Sequence, residues 1–429
     1  MAVKYQSAKS AAVHTVILLL EQRKSRRFGC GMELPAGPLR YRSEIPPIPL
    51  SREERHYLLF AGAGNTGRHL ADMQFADRSR CEDGHGTAIM SFQGRTAPSP
   101  CAAHTTKLFV TDDEGLYFAA EVPHPESGVP LKLTALRRGR LQIPRQVPYM
   151  LSFNQWYTNR PGSLYVIPVT EVARVYLNLL LVLLSEEYGY FIVDTDNGNS
   201  ACGLDLFRKS RGGHLHDDPA KRRTMTLRDL DAAISDTAIQ EQGLVCQSMF
   251  LMEQAIGLGG GIQSVGSGRH LLGLEPQIFP GLGFRFEESP IAGVRSNPVG
   301  HATVWEGSCP PFVSSMEEAV MSIVTSKFGV NGIYTNPARR PWFGSGGEQP
   351  IAPPEQRTID AAIQFCTYVS RTYGRFPAHT DAFKAVIAFQ AHHLDVGFYD
   401  RFYPSGALPQ AHRDHLTAWH ACGEDEDTP

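Results

Sequence analysis

Residues 239–276 read IQEQGLVCQSMFLMEQAIGLGGGIQSVGSGRHLLGLEP, and the fold turns on how this stretch divides. Its first half places Ile239, Val245, Met249, Met252 and Ile256 at helical spacing, so one face of a helix is buried. The helix runs into Gly257, Gly259, Gly260 and Gly261, with Gly266 and Gly268 just beyond. Glycines gather where a helix must stop, or where backbone must approach something closely with no Cβ in the way. A short apolar turn, Leu271–Leu274, follows, and Pro276 closes it. The run is not a phosphate loop. The pattern GxxxxGKS/T is absent, and these glycines follow a helix, whereas nucleotide-binding fingerprints follow a strand and open a helix. Two readings stay open: a helix C-cap with a loose loop, or a loop lying against a ligand.

Composition narrows the rest. The chain has 429 residues, enough for two modest domains or for one with an extension. Its 42% hydrophobic and 20% charged residues belong to a protein with a real core. A formal net charge of -3 gives nucleic acid no electrostatic hold, so no such partner is expected. The cysteines (Cys 8) form no CxxC pair and read as reduced thiols of a cytoplasmic protein. Ala11–Leu20 is followed by Glu21-Gln22-Arg23-Lys24 rather than by a small-residue cleavage site. Val175–Leu184 is shorter than the ~20 residues a bilayer requires. No membrane partner is expected.

Further along the chain, several segments carry chemistry. Ser10 to Gln22 predicts a helix with Val13, Val16, Ile17 and Leu20 on one face. It delivers Arg23-Lys24-Ser25-Arg26-Arg27-Phe28. Such a run is a solvated surface, or it is the set of forks and hydroxyl that a phosphate requires. Ser51 and Glu54 form a capping box that opens the next helix. Pro98-Ser99-Pro100-Cys101-Ala102-Ala103-His104 precedes a strand from Lys107 to Thr111, a turn at Asp112–Gly115 and a second strand from Leu116. Further strands are expected at Leu131–Leu136, Leu164–Val169 and Tyr188–Val193, and helices at Val172–Ser185 and Met316–Phe328. Trp156, Tyr157, Asn159 and Arg160 either cap a pocket or are loop residues.

These segments together resemble the FMN-dependent nitroreductase family over roughly residues 10–310, and most nearly its azoline-oxidase-like branch. Glu241, Gly243, Gln247 and Gly257-Leu258-Gly259 resemble the family's central helix and the loop beside the flavin. Arg23, Lys24, Ser25 and Arg27 resemble its opening phosphate-gripping run, with Phe28 one residue early. Pro98 and Ser99 match its flavin-side loop, where Pro100, Cys101 and His104 replace the usual residues. Ala61–Gly67 resembles the end of its second helix. The resemblance implies an α+β fold, a mixed and mainly antiparallel sheet flanked by helices, with a C-terminal helical extension. It implies an FMN-dependent oxidoreductase that moves hydride between flavin and a small-molecule or modified-peptide substrate, with NAD(P)H as a candidate reductant, in a homodimer. The cofactor-binding residues so implied are Arg23, Lys24, Ser25, Arg27, Pro98, Ser99, Gln247, Gly259, Gly260, Gly261 and Arg295. His104 is the candidate general acid or base, with a packed histidine as the other reading. A flavin-binding or substrate-binding protein without redox chemistry is the alternative.

Residues 1–310 are expected to form the FMN domain, 311–354 a connecting segment, and 355–429 a helical, histidine-rich extension. Helices are predicted at Thr358–Tyr373, Phe383–Phe402 and Gln410–His420. Tyr373, Phe376, Phe389, Phe398 and Tyr399 are candidates for a lid over the flavin. His379, His392, His393, His412, His415 and His420 lie among acids there, which opens a metal-dependent enzyme as a further reading. No spacing among them matches a metal motif, and adjacent His392 and His393 cannot both face one site from a helix. No metal ligand is assigned.

Overall fold

The protein was analysed as a computed structural model that describes residues 13–73, 89–264, 266–342, 351–381 and 388–420. Its helices are α1 (13–22), α2 (Arg52–Ala63), α3 (Val172–Leu183), α4 (Leu227–Ile256), α5 (Gly268–Leu272), α6 (Met316–Phe328), α7 (Gln356–Tyr373), α8 (Val396–Phe402) and α9 (Gln410–His420). Its main sheet holds β1 (Thr106–Thr111), β2 (Gly115–Ala119), β3 (Thr134–Arg138), β4 (Leu164–Glu171), β5 (Gly259–Gln263), β6 (His379–Asp381) and β7 (Ala388–His392). The order is β5-β7-β4-β1-β2-β3, with β6 also pairing with β4, and every pair is antiparallel. The chain is therefore α+β with a mainly antiparallel sheet.

The axis of the molecule is α4. It begins at Leu227, well before the Ile239 that its apolar spacing marks. Thr226 caps it: its hydroxyl accepts from Asp229 N, and the Asp229 carboxylate accepts from Thr226 N. Gly257, left-handed at φ 87, ends it. Thirty residues at 1.5 Å each make a helix about 45 Å long. Its N-terminal half buries Leu227, Leu230, Ile234 and Ala238 among α3, α6 and α7. Its C-terminal half buries Val245, Cys246, Met249 and Phe250 against Leu58 and Leu59 of α2 and against the sheet.

Both faces of the sheet are covered. Leu108, Val110, Leu164, Val166 and Phe389 point toward α2 and α4. Phe109, Phe118, Tyr165, Ile167 and Val169 point the other way, toward Phe284 and Trp305. This is the two-residue alternation of a pleated strand, and β4, in the middle, is buried at all eight positions.

The C-terminal segment corrects the expectation of a helical extension. Phe383–Phe402 is not one helix. Ala388–His392 is β7, paired on one side with β5 and on the other with β4, and α8 starts only at Val396. All five residues of β7 are buried, the polar Gln390 and His392 included, so no exposed-buried alternation marks it as a strand. Sheet pairing on both edges decides it. Residues from beyond position 355 thus complete the same sheet as residues before 310. No helix among the described residues is long and apolar enough to cross a membrane.

Candidate cofactor-binding site

The glycines after α4 do not form a loop. Gly259, Gly260 and Gly261 are the first residues of β5, and their lack of side chains admits the 23–28 segment. Gly260 N donates to the Arg26 carbonyl at 2.7 Å. A Cβ on Gly259 would lie 2.0 Å from Leu394 Cδ2 and 2.7 Å from Arg26 O, and one on Gly261 would lie 3.1 Å from Ser25 Oγ. The structure therefore brings Ser25 and the Arg26 backbone against Gly259, Gly260 and Gly261, while the Arg23 guanidinium lies over the Phe250 ring of α4 at 5.4 Å.

Arg26, which is not among the phosphate-gripping residues the resemblance implies, is the arginine of this run that turns inward. It is buried at 3% exposure. Its Nε donates to Ala407 O at 2.9 Å, Nη1 to Gln254 Oε1 at 2.6 Å and Nη2 to Gln22 O at 3.1 Å. Burial pulls its pKa down, and Tyr399 and Glu253 pull it back up. The guanidinium is used in tying α1, α4 and the 403–407 turn together. Lys24, Ser25 and Arg27 remain exposed, and among the described residues neither Lys24 nor Arg27 pairs with a carboxylate.

Those three line a cavity of about 640 Å³. Its lining also includes the aromatic side chains of Trp156, Phe398, Tyr399 and Tyr403. Phe398 stacks on Phe28 at 4.1 Å, and Tyr399 Oη accepts from Phe28 N at 3.1 Å, so the segment that carries the cations also holds two of these aromatic side chains. Of the lid candidates, Phe398 and Tyr399 stand here. Phe389 lies inside the sheet, and Phe376 is buried near Tyr176 in the helical layer.

The remaining predicted residues lie elsewhere. Ser99 Oγ donates to Glu241 of α4, and also accepts from His104 N at 3.0 Å. Thr106 N donates to the other Glu241 oxygen at 2.6 Å. From Glu241 to Gln254, which holds Arg26, is about 20 Å along the helix at 1.5 Å per residue. The cleft beside His104 has only about 30 Å³, room for a water or two and not for a flavin ring. Pro98, Ser99 and His104 are therefore not in one site with the cationic run of the same chain. Their role here is local: Ser99 and Glu241 lock the turn onto α4. Gln247 is half-buried on α4 between the two regions. Arg295 is in a third place, a cavity of about 290 Å³ shared with Arg269 and Arg375.

His104 is also the wrong charge for an acid at neutral pH. Burial, then the nearby Arg95 and His69, lower its pKa to about 4. His379, edge-on to Trp305 at 4.5 Å, is lowered by burial to about 3. Both rings are neutral when folded and take a proton near ~6.5 when unfolded. The unfolded state then binds more protons below that pH, so stability is lost as pH falls. His379, 4% exposed, contributes up to ~1.4 kcal/mol per pH unit between about 6 and 3, and half-buried His104 less. We expect the Tm to decline steadily below about pH 6, and His379→Phe to flatten that decline; an unchanged slope in the variant would refute the assignment.

A second group was not legible in the sequence. Glu54 of α2, His393 just after β7, and His415 and His420 of α9 place four ligand atoms within 4.8 Å of one another.

No protein-family model matches this chain, and no curated protein matches it. Among solved structures, it is similar to one from Ralstonia eutropha JMP134 assigned as a nitroreductase. The two share 16% identity over 57% of this chain and 68% of that one, with a TM-score of 0.25. A superposition at that score carries no argument about fold or activity, so the α+β assignment rests on the strand order itself.

Proposed function

We propose that the chain is an FMN-dependent oxidoreductase whose cofactor occupies the cavity between the cationic run and the C-terminal aromatic residues. The observation that carries this reading is the pairing of cations with aromatic rings in one lining. Lys24, Ser25 and Arg27 offer a phosphate two cations and a hydroxyl. Trp156, Phe398, Tyr399 and Tyr403 offer a flat ring its apolar contacts. About 640 Å³ is within the ~300–1,000 Å³ of small-molecule sites. FMN, when bound, supplies the hydride chemistry. The chain's residues hold the phosphate, orient the ring and keep water from it. A small-molecule or modified-peptide substrate and NAD(P)H as reductant belong to this proposal. So does a homodimer, which the exposed apolar face of α1 favours: Val13, Val16, Ile17 and Leu20 all face solvent in the single chain. His104 has no catalytic part in it.

The test is the visible spectrum of the purified protein, with released cofactor identified by mass. A flavin band and FMN are expected. Lys24→Ala with Arg27→Ala should weaken FMN binding by at least about 100-fold, since two charge-assisted contacts are lost and each is worth ~1.5–3 kcal/mol. Stability should change by less than about 1 kcal/mol, both residues being exposed. A colourless protein that takes up no added FMN sinks the proposal. Bound flavin that neither NAD(P)H nor any candidate substrate reduces would mark a binding protein instead.

A further inference from the structure

We infer that Glu54, His393, His415 and His420 form a structural binding site for one divalent transition-metal ion of the zinc class, which fastens the C-terminal helix and the last sheet strand to α2.

The convergence is tight. The Nε2 atoms of His393, His415 and His420 lie 2.9, 2.7 and 3.1 Å from the same oxygen, Glu54 Oε1. His393 Nε2 and His420 Nε2 are 3.1 Å apart. Side-chain exposure is 0% for Glu54 and His393, 2% for His415 and 27% for His420.

Proton accounting shows why an ion fits. His393 Nδ1 is 2.9 Å from Ile48 O, and His415 Nδ1 is 2.5 Å from Ile256 O. A carbonyl only accepts, so each Nδ1 carries a hydrogen. In a neutral ring the Nε2 atom is then a bare lone pair. Two such lone pairs would face a carboxylate oxygen, itself an acceptor, and the single Nε2 hydrogen that a neutral His420 can offer would serve only one of these atoms. Charging both rings removes that clash, but it encloses two cations around one buried carboxylate. A single divalent ion satisfies all four ligand atoms together. It binds neutral imidazole through Nε2 at ~2.0–2.1 Å and carboxylate oxygen at ~2.0–2.2 Å. Such bonds around a tetrahedral centre put ligand atoms about 3.3–3.6 Å apart, so the four atoms, all within 4.8 Å of one another, need shift only slightly to enclose an ion.

The surroundings are those of a built site. Ligating histidines characteristically donate their other ring N–H to a backbone carbonyl, which fixes the tautomer and the ring's direction. His393 and His415 both do so. The second Glu54 oxygen accepts from Ser51 N at 2.5 Å, which aims the first into the cluster. Imidazole with one carboxylate suits zinc and its neighbours rather than magnesium or calcium. Four protein ligands close a tetrahedral shell, the arrangement of a structural ion rather than a catalytic one. The ligands come from positions 54, 393, 415 and 420, so the ion would join segments that chain connectivity leaves independent.

The experiment is metal analysis of protein purified without chelator, followed by thermal melts before and after dipicolinate and after added zinc. About one equivalent of zinc-class metal per chain is expected, with a Tm that falls on chelation and returns with zinc. His420→Ala, at the least buried ligand, should fold and bind zinc about 100-fold more weakly or worse. The Lys24/Arg27 double variant should keep its metal, so loss of flavin and loss of metal are read separately. A metal-free protein whose Tm ignores added zinc overturns the inference. So does a His420→Ala variant with unchanged zinc affinity.

Discussion

Gly260→Ala is expected to destabilise the protein by about 2–6 kcal/mol and to abolish flavin retention. The residue sits at φ +138, a region that L side chains rarely adopt. An added Cβ would lie 1.9 Å from Gln390 O and 2.7 Å from the Gln390 carbonyl carbon. Both atoms are backbone of β7, so no rotamer relieves the contact. Backbone strain costs ~1–3 kcal/mol and forced displacement of a packed strand another ~1–3. The displacement is also directed. Gly260 N holds the Arg26 carbonyl, so a shift of β5 moves the segment that presents Lys24, Ser25 and Arg27 to the cavity. Gly243→Ala is the internal comparison. It lies in the middle of α4, and a Cβ there meets nothing within 4 Å. It should stabilise by about 0.5–1 kcal/mol, the ordinary gain of alanine over glycine in a helix. Denaturant melts of the two variants should therefore move in opposite directions. Equal effects would mean that β5 does not approach β7 as described.

Arg26→Ala is the second large effect, expected at about 3–5 kcal/mol. Its loss takes the donor from the half-buried Ala407 carbonyl and leaves buried Gln254 Oε1 with only the longer bond from Lys24 N at 3.3 Å. It also removes the positive neighbour of Glu253, a fully buried acid already held well above the usual carboxylate range by burial. The contrast with Arg27→Ala is the informative part. Arg27 is exposed, with its guanidinium 5.9 Å from the Tyr157 ring, and its removal should cost under about 1 kcal/mol while loosening the cofactor. One arginine then changes the melt and its neighbour changes the binding isotherm. If Arg27→Ala unfolds the chain and Arg26→Ala does not, the two side chains have been assigned the wrong way round.

Local signals in the sequence translated well. The capping box at Ser51 and Glu54, the strand-turn-strand from Lys107, and helices Met316–Phe328 and Gln410–His420 appear where their patterns place them. Each is decided by contacts within a few residues: a cap, a turn, a repeat of 3.6 or 2. The start of α4 was missed because Thr226 and Asp229 form a less typical box than serine with glutamate. β7 was misread because its five residues are buried on both faces, which erases the alternation that marks a strand.

The sites divide in the same way. The cationic run and the glycines were visible as compositions, and they do meet. That Arg26 turns inward while Arg27 turns out depends on Gln254 and Ala407, residues far along the chain. The expected union of Pro98, Ser99 and His104 with that run failed because α4 is a rigid rod that holds Glu241 and Gln254 about 20 Å apart.

By itself, then, the sequence determined the helices and strands that short-range spacing encodes, the absence of a phosphate loop, and the cationic patch with glycines able to receive it. Tertiary structure alone decided which residues share a site. Glu54 lies 339 residues from His393 and 366 from His420, and no spacing rule spans such distances. They meet because β7 enters the sheet between β5 and β4, and because α9 then returns past the end of α4 to the first turn of α2. Long-range convergence of this kind is a property of sheet order and helix packing, which a linear pattern does not record.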